Sequence, residues 1–147
     1  MMSLLSALLM VFGANAPAPS GGTDSCFHYA PGVVVLTGRL MQRTLPGPPH
    51  YDSFRRGDRP EVVDFLVLDT PLCTVADYKG SPNTDAFTGQ DTVQVRKREA
   101  TVRDVRRLTG QHVTITGTLA EWALGADRTP VVLDPTAVRV AASGSKP

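Results

Sequence analysis

The sequence VTITGTL at residues 113–119 repeats a pattern that the chain has already used at residues 34–40, VVLTGRL. Both copies alternate apolar with other residues, which is typical of a strand that buries one face. Each copy also carries a glycine inside the run, Gly38 or Gly117. A glycine within a strand marks a bend or a bulge. We therefore predict two strands of one strongly curved sheet, each bent at its structural glycine. A tandem duplication is the alternative, but the segments between the copies match neither in length nor in pattern.

Further strands are predicted on both sides of this pair. The first pattern belongs to a strand at residues 33–42, and Pro71 is expected to end a second strand at residues 62–69. The third, fourth and fifth strands are predicted at residues 91–97, 112–122 and 129–141, the last bent near Pro135. Residues 43–61 and 75–90 are rich in turn-forming residues and predict long loops, the first of which should hold neither helix nor central strand.

Between the third and fourth strands the pattern changes to a helical period. Val102, Val105 and Leu108 fall on one face at 100° per residue. Gly110 follows, where a helix end favours a left-handed residue. The order of elements predicts a mainly β fold, a small OB-like five-stranded Greek-key barrel with one short helix between strands three and four.

Composition sets wide bounds on function. The 147 residues carry a formal net charge of +1, with 41% hydrophobic and 20% charged residues. These values are typical of one ordinary domain and argue against both disorder and a strongly basic nucleic-acid binder.

The N-terminus indicates export. Residues 1–20 contain no charged side chain, and their apolar run is too short to span a bilayer, which predicts a signal peptide without a transmembrane anchor. A linker at 21–25, the barrel domain at 26–141 and a flexible tail at 142–147 complete the predicted organisation, and the protein is expected to be periplasmic or secreted. A hydrophobic N-terminal segment that is not cleaved is the alternative.

The two cysteines are Cys26 and Cys73. In an exported protein an even number of cysteines favours a disulfide, which here would close a long loop and fasten the N-terminus. Two buried free thiols in a cytosolic protein remain the alternative.

Catalytic and metal-binding motifs are not evident. The sequence has no nucleophile motif and no phosphate-binding glycine loop, and the histidines His28, His50 and His112 lie in different elements. His50 and Asp52 form the one close pair. We therefore predict no cofactor, no metal and no enzymatic activity, and we keep as an alternative a small hydrolase or metal-dependent enzyme that uses this pair.

Binding is the better supported function. OB barrels hold ligands on the face bordered by the loop after strand one and the loop between strands four and five. Aromatic and arginine side chains in these loops suit stacking on rings and pairing with anions. The candidate ligand-binding residues are Tyr51, Phe54, Arg55, Arg56, Trp122 and Arg128. The alternative is that the aromatic side chains close the barrel ends and the arginines are solvated.

The predicted function is therefore an exported non-catalytic binding module for an envelope protein, a glycan or a small anion, with nucleic acid disfavoured. A basic surface also surrounds the predicted helix. It is either a docking surface or simply the solvated side of the helix. Its residues are Arg96, Lys97, Arg98, Arg103, Arg106 and Arg107.

Several stretches in the same order resemble a small exported bacterial domain family of unknown function. They are CFHYAPGVVVLTGRL, LPGPPHYDSFRRGDRPE, LDTPLC and LTGQHVTITGTL, followed by RTPVVLD. The resemblance implies export to the periplasm and a pairing of Cys26 with Cys73, and it implies no established activity. Members of that family carry a histidine-rich turn before the last strand, whereas this chain has GADRTP at residues 125–130.

Overall fold

A computed structural model describes residues 26–76, 85–122 and 125–142. The predicted signal peptide at 1–20, the linker at 21–25 and all but the first residue of the tail at 142–147 lie outside these residues and stay predictions.

The fold is mainly β, and its five strands form one sheet that closes on itself. Its strands are β1 (Val33–Pro46), β2 (Pro60–Leu72), β3 (Gln90–Val95), β4 (His112–Glu121) and β5 (Val131–Val140), and its helix is α1 (Val102–Leu108). The strands are ordered β1-β2-β3-β5-β4 in a closed barrel, and β4 pairs with β1 to complete the ring. Among the pairs of these five strands, β3 and β5 run parallel and the others run antiparallel. The predicted five strands, with one short helix between the third and the fourth, are confirmed.

The two copies of the repeated pattern pair with each other as neighbouring strands. The two copies pair antiparallel around Leu36 and Ile115, which face each other at the centre. Each glycine therefore lies opposite the first valine of the other copy, Gly38 beside Val113 and Gly117 beside Val34. The repeat is thus a locally two-fold symmetric ladder in the barrel wall.

The structural glycines Gly38 and Gly117 lie mid-strand, as predicted, but the reason for glycine is space. A Cβ atom at Gly38 would lie 2.1 Å from the carbonyl oxygen of Val67, and one at Gly117 would lie 2.2 Å from that of Asp134. Gly117 also lies at a register shift between β4 and β5, next to its partner Pro135. Neither glycine has a positive φ. The carbonyl group of a neighbouring strand occupies the place of a side chain at both positions.

The barrel interior is apolar and alternates along the strands, as a one-face-buried strand requires. Leu40, Leu66, Ile115 and Leu133 are wholly buried. Helix α1 adds Val105 and Leu108 to the same core, while Val102 is half-buried. Gly110 has a φ of 86°, which confirms the left-handed residue predicted after the helix.

The prediction that residues 43–61 form one long loop, with neither helix nor central strand, was wrong at both ends and in the middle. β1 continues to Pro46, β2 begins at Pro60, and a short 3-10 helix spans Phe54–Arg56. The N–H and C=O groups of Leu40 bond to Gln111 and Gly110, away from β2. These groups alternate in direction along a strand, so Pro46, six residues after Leu40, also directs its backbone away from β2. Pro46 and Pro60 are therefore opposite each other at a position where the β1–β2 ladder has no hydrogen bond, and the missing N–H of proline costs nothing there.

The expectation that Pro71 ends the second strand was also wrong, because β2 continues through Pro71 to Leu72. The register between β2 and β3 shifts between Val67 and Leu72. Proline is tolerated at such an irregularity because no ladder bond requires its N–H there.

A disulfide joins Cys26 to Cys73, as predicted. It fastens the N-terminal segment beside the end of β2, where the Phe27 N–H donates to the Cys73 carbonyl at 2.7 Å. Tyr29 is buried next to it, and its hydroxyl lies 3.1 Å from Thr74 Oγ1. The helical segments within the three described ranges are too short and too polar to cross a bilayer.

Candidate functional site

Two loops lie side by side on the barrel and form what we call the loop face. The first loop is residues 47–59 between β1 and β2, and the second loop connects β4 to β5, with residues 122 and 125–130 described. Arg128 of the second loop contacts both the first loop and the strand ends beside it, which brings the two loops together.

Asp58 organises the first loop from inside. Its side chain is fully buried, and one carboxylate oxygen accepts from the backbone N–H groups of Asp52 and Ser53, at 2.8 Å each. The other oxygen accepts from the backbone N–H of His50 at 2.9 Å and lies 3.1 Å from Nδ1 of the His50 ring. One carboxylate therefore fixes the course of four consecutive residues.

The same contacts keep Asp58 ionised. Burial by itself raises the pKa of the Asp58 carboxyl, but the N–H groups of Asp52, Ser53 and His50 outweigh burial and hold this pKa well below its ordinary value. A carboxylate that stays charged at physiological pH and is enclosed by backbone donors is suited to hold the loop and not to transfer protons.

Arg128 connects the two loops. Its guanidinium donates to the Tyr51 carbonyl at 3.2 Å and also to the Pro46 carbonyl, and it lies 3.5 Å from the Glu61 carboxylate. The guanidinium carbon lies 5.1 Å from the centre of the Tyr51 ring, within cation–π range. Gly125 lies beside the same ring, and a Cβ there would lie 3.4 Å from it.

Gln94 of β3 holds the second loop against the barrel. Its side-chain oxygen accepts from the Arg128 N–H at 2.5 Å, and its side-chain nitrogen donates to the Ala126 carbonyl at 3.4 Å. Its own backbone N–H donates to Thr129 Oγ1 at 2.8 Å. The second loop is thus fixed by hydrogen bonds to a strand.

A groove of about 250 Å³ runs along the beginning of β2 and the end of β3, and residues 126 and 127 of the second loop border it. Its charged lining residues are Glu61, Asp64, Arg96, Lys97, Arg98 and Asp127.

An ion-pair network forms one side of this groove. Arg96 bonds Asp127 at 2.6 Å and Asp134 at 3.1 Å, and Arg98 pairs with the same Asp134. The hydrogen bond that Arg96 donates to the Asp127 carboxylate is the main reason that the pKa of Arg96 is raised. The network keeps this side of the groove in one arrangement.

A second, shallower depression of about 190 Å³ lies on the second loop. Trp122 and Arg128 line it together with Thr129 and Pro130. Trp122 is 47% exposed, which is high for the largest apolar side chain in the protein.

The structure brings together half of the predicted ligand-binding residues. Arg128 stacks on Tyr51 and shares a depression with Trp122. The predicted Phe54, Arg55 and Arg56 form the short 3-10 helix of the first loop.

These three residues point outward. Phe54 is 52% exposed, and both arginines are exposed. Arg56 pairs with Asp52 at 2.5 Å, and the backbone of Arg55 is capped by the Ser53 hydroxyl. They form a separate rim of the loop face, and their role in binding stays a prediction.

The pair His50 and Asp52 is not arranged as a joint site. The His50 ring lies against Asp58, and the Asp52 carboxylate pairs with Arg56. In the described portion of the chain, no three histidine, cysteine or acidic side chains are grouped so as to hold a metal ion. No observation therefore favours the metal-dependent or hydrolytic alternative.

The basic surface predicted around the helix is divided between two places. Arg96, Lys97 and Arg98 line the groove, whereas Arg107 pairs with Asp104 within α1 at 2.8 Å. The remaining cations, Arg103 and Arg106, are exposed on the helix.

Sequence reasoning missed the residues that build the loop face, above all Asp58, Gln94 and Asp127. Asp58 acts over a short range, and its position after Gly57 in a turn-rich loop is the one signal that the sequence offers. Gln94 and Asp127 act on residues more than thirty positions away in the chain, so no local pattern reveals them.

Comparison with protein-family models gave no match, and comparison with curated proteins gave no similar sequence.

Proposed function

We propose that the protein is an exported, non-catalytic binding module, an OB-like barrel that holds an envelope protein, a glycan or a small anion on its loop face. The observation that carries the proposal is the way in which the two loops are fixed. Buried Asp58 and largely buried Arg128 hold them by hydrogen bonds and leave Phe54 and Trp122 exposed. Loops that are ordered before a ligand arrives lower the entropic cost of binding.

The position of the groove supports the same proposal. It lies along β2 and β3 and borders the loop that follows strand four, and OB barrels bind ligands on the face of strands two and three beside that loop. Export is supported by the Cys26–Cys73 disulfide, because disulfides persist in oxidising compartments. The proposed relation to a small exported bacterial family fits both points and adds no activity.

Trp122 provides a direct test, since it is the single tryptophan of the chain and belongs to the loop face. Its fluorescence would be followed while inorganic phosphate, a soluble peptidoglycan fragment and a short extended peptide are added in turn. We expect one of these classes to change the emission in a saturable manner. No saturable change with any of them contradicts the proposal.

A matched pair of variants locates the binding surface. Phe54→Ala should weaken the titration, because Phe54 is exposed on the rim of the loop face. Val33→Ala is the control, since Val33 is an equally apolar, 70% exposed residue on β1 outside the loop face. Equal losses in both variants would contradict binding at the loop face.

A further inference from the structure

Among the described residues, no strand lies beside one edge of β2 at its beginning. β1 pairs with β2 from Pro60 to Leu68, whereas the β3 ladder begins only at Asp64. Residues 60–63 of β2 are therefore paired with β1 on one side, and on the other side Glu61, Val62 and Val63 line the groove.

The backbone groups of Val62 point into the groove. Leu40 directs its N–H and C=O away from β2, and it is paired with Leu66. Since the hydrogen-bonding direction alternates along an antiparallel pair, Val62, which is opposite Thr44, also faces away from β1. A separate contact agrees with this, because Lys97 Nζ donates to the Val62 carbonyl at 2.5 Å.

Lys97 takes the place that a strand would fill. Continuing the β2–β3 ladder from the pair Asp64 and Val95 would place Lys97 opposite Val62. However, β3 ends at Val95, and the next N–H, that of Arg96, donates to Leu133 of β5. The ammonium of Lys97 thus replaces a backbone donor. A lysine at a strand edge is a common means of blocking strand addition, and a flexible one can be displaced.

The charged residues around the groove indicate which side chain a segment bound at the β2 edge would carry. Asp64 accepts from Gln42, Glu61 lies near Arg128, and Asp127 is bonded to Arg96. Lys97 reaches no carboxylate within ion-pair distance among the described residues, and its ammonium donates to the neutral carbonyl of Val62. An occupant that displaces it from Val62 would best supply a carboxylate of its own.

A polyanion fits the groove less well. Three acids and three bases line it, so its charges are balanced. A peptide backbone supplies both the donor and the acceptor that Val62 requires, and one acidic side chain then satisfies Lys97.

We propose that the β2 edge at residues 60–63 takes up an extended segment of a partner protein as an added strand, with an aspartate or glutamate of that segment on Lys97. This inference rests on the proposed binding function and specifies its partner. Strand addition of this kind obtains affinity from main-chain hydrogen bonds and specificity from alternate side chains.

The test uses a defined probe. A capped heptapeptide of alternating valine and threonine with one central aspartate is titrated into the isotope-labelled mature protein, and the backbone NMR signals are followed. We expect the signals of Val62 and Lys97 to shift together. A peptide N-methylated at alternate residues should bind about tenfold or more weakly, because it lacks the backbone donors. Equal binding of the two peptides, or no binding of either, would overturn the proposal.

Three protein variants make the test specific. Val62→Pro removes the N–H that faces the groove while leaving the β1 ladder intact, and Thr44→Pro is its matched control at the opposite residue of the same pair. We expect the first to lose peptide binding and the second to keep it, with unchanged circular dichroism in both. If Val62→Pro fails to fold, Lys97→Ala decides: it should remove the preference for aspartate over asparagine in the peptide. An unchanged preference contradicts the role of Lys97.

The outcome separates this inference from the proposed function. Suppose that Trp122 fluorescence shows saturable binding of phosphate or of the glycan fragment, and that the NMR signal of Val62 does not shift with any peptide. Strand addition is then wrong, and the binding function stands. If neither residue responds to any probe, both are wrong.

Discussion

The barrel and the loop face are held together by different forces. The barrel is closed by apolar side chains that are wholly buried, such as Leu66 and Ile115, and by strand ladders on both sides of nearly every strand. The loop face is fixed by a buried carboxylate and a guanidinium that bond mainly to backbone groups. The stability of the barrel and the order of the loop face should therefore respond to different substitutions.

The largest effect should come from the disulfide, which belongs to the barrel. Replacing both Cys26 and Cys73 by serine releases a loop with a sequence separation of 47 residues. We expect a loss of about 4 kcal/mol in the free energy of unfolding, on the chain-entropy model. Urea denaturation measures it, and alkylation of the native protein should find no free thiol. Two reactive thiols in the native protein would contradict the account.

The next largest effect should come from the structural glycines. Gly38→Ala places a methyl group 2.1 Å from a backbone carbonyl oxygen that the barrel cannot move freely. Overpacking of this kind costs about 3 kcal/mol. Gly89→Ala is the control, because it has a positive φ but open space, and it should cost about 1 kcal/mol. Equal losses in the two variants would show that close approach is not the reason for Gly38.

The loop face should depend on acid in a way that the barrel does not. The pKa of Asp58 is lower in the folded protein than in the unfolded chain, where an aspartate titrates near about 3.9. Its contribution is therefore fully present above that pH and is lost as the pH falls towards the folded value. Urea denaturation from pH 7 to pH 2 should show the stability difference between the wild type and Asp58→Asn shrinking below about pH 4. A constant difference would contradict the role of Asp58.

The smallest effect on stability is expected at Trp122. Its side chain is 47% exposed and packs on the second loop, so Trp122→Ala should change the free energy of unfolding by less than about 0.5 kcal/mol. The same change should weaken ligand capture by the loop face, measured by calorimetry with the probe identified through Trp122 fluorescence. A large stability loss would instead place Trp122 in the structural framework.

The barrel could be predicted from sequence because its signals are local. Runs of β-branched residues between turn-forming segments located all five strands, and the repeated pattern located Gly38 and Gly117. The strand ends were missed where prolines lie at positions that need no N–H, as at Pro46 and Pro71, since this depends on register with another strand.

The loop face was predicted only in outline for the same physical reason. Its aromatic and arginine residues are visible in the sequence, but the bonds from Arg128 to Tyr51 and from Gln94 to the second loop join distant positions. From sequence alone, a charged residue in a loop is expected to be solvated, because its distant partners cannot be identified. Arg128 was predicted to contact a ligand, and no sequence pattern indicates that its guanidinium also bonds to the first loop.

Amide hydrogen exchange in Asp58→Asn is the most direct test of the claim that the loop face is held independently of the barrel. The N–H groups of Asp52 and Ser53, which donate to Asp58, should exchange much faster than in the wild type. The N–H groups of Leu66 and Ile115, in the barrel strands, should keep their wild-type rates. If all four groups exchange faster together, or if none does, the loop face is not a separately fixed surface and the account fails.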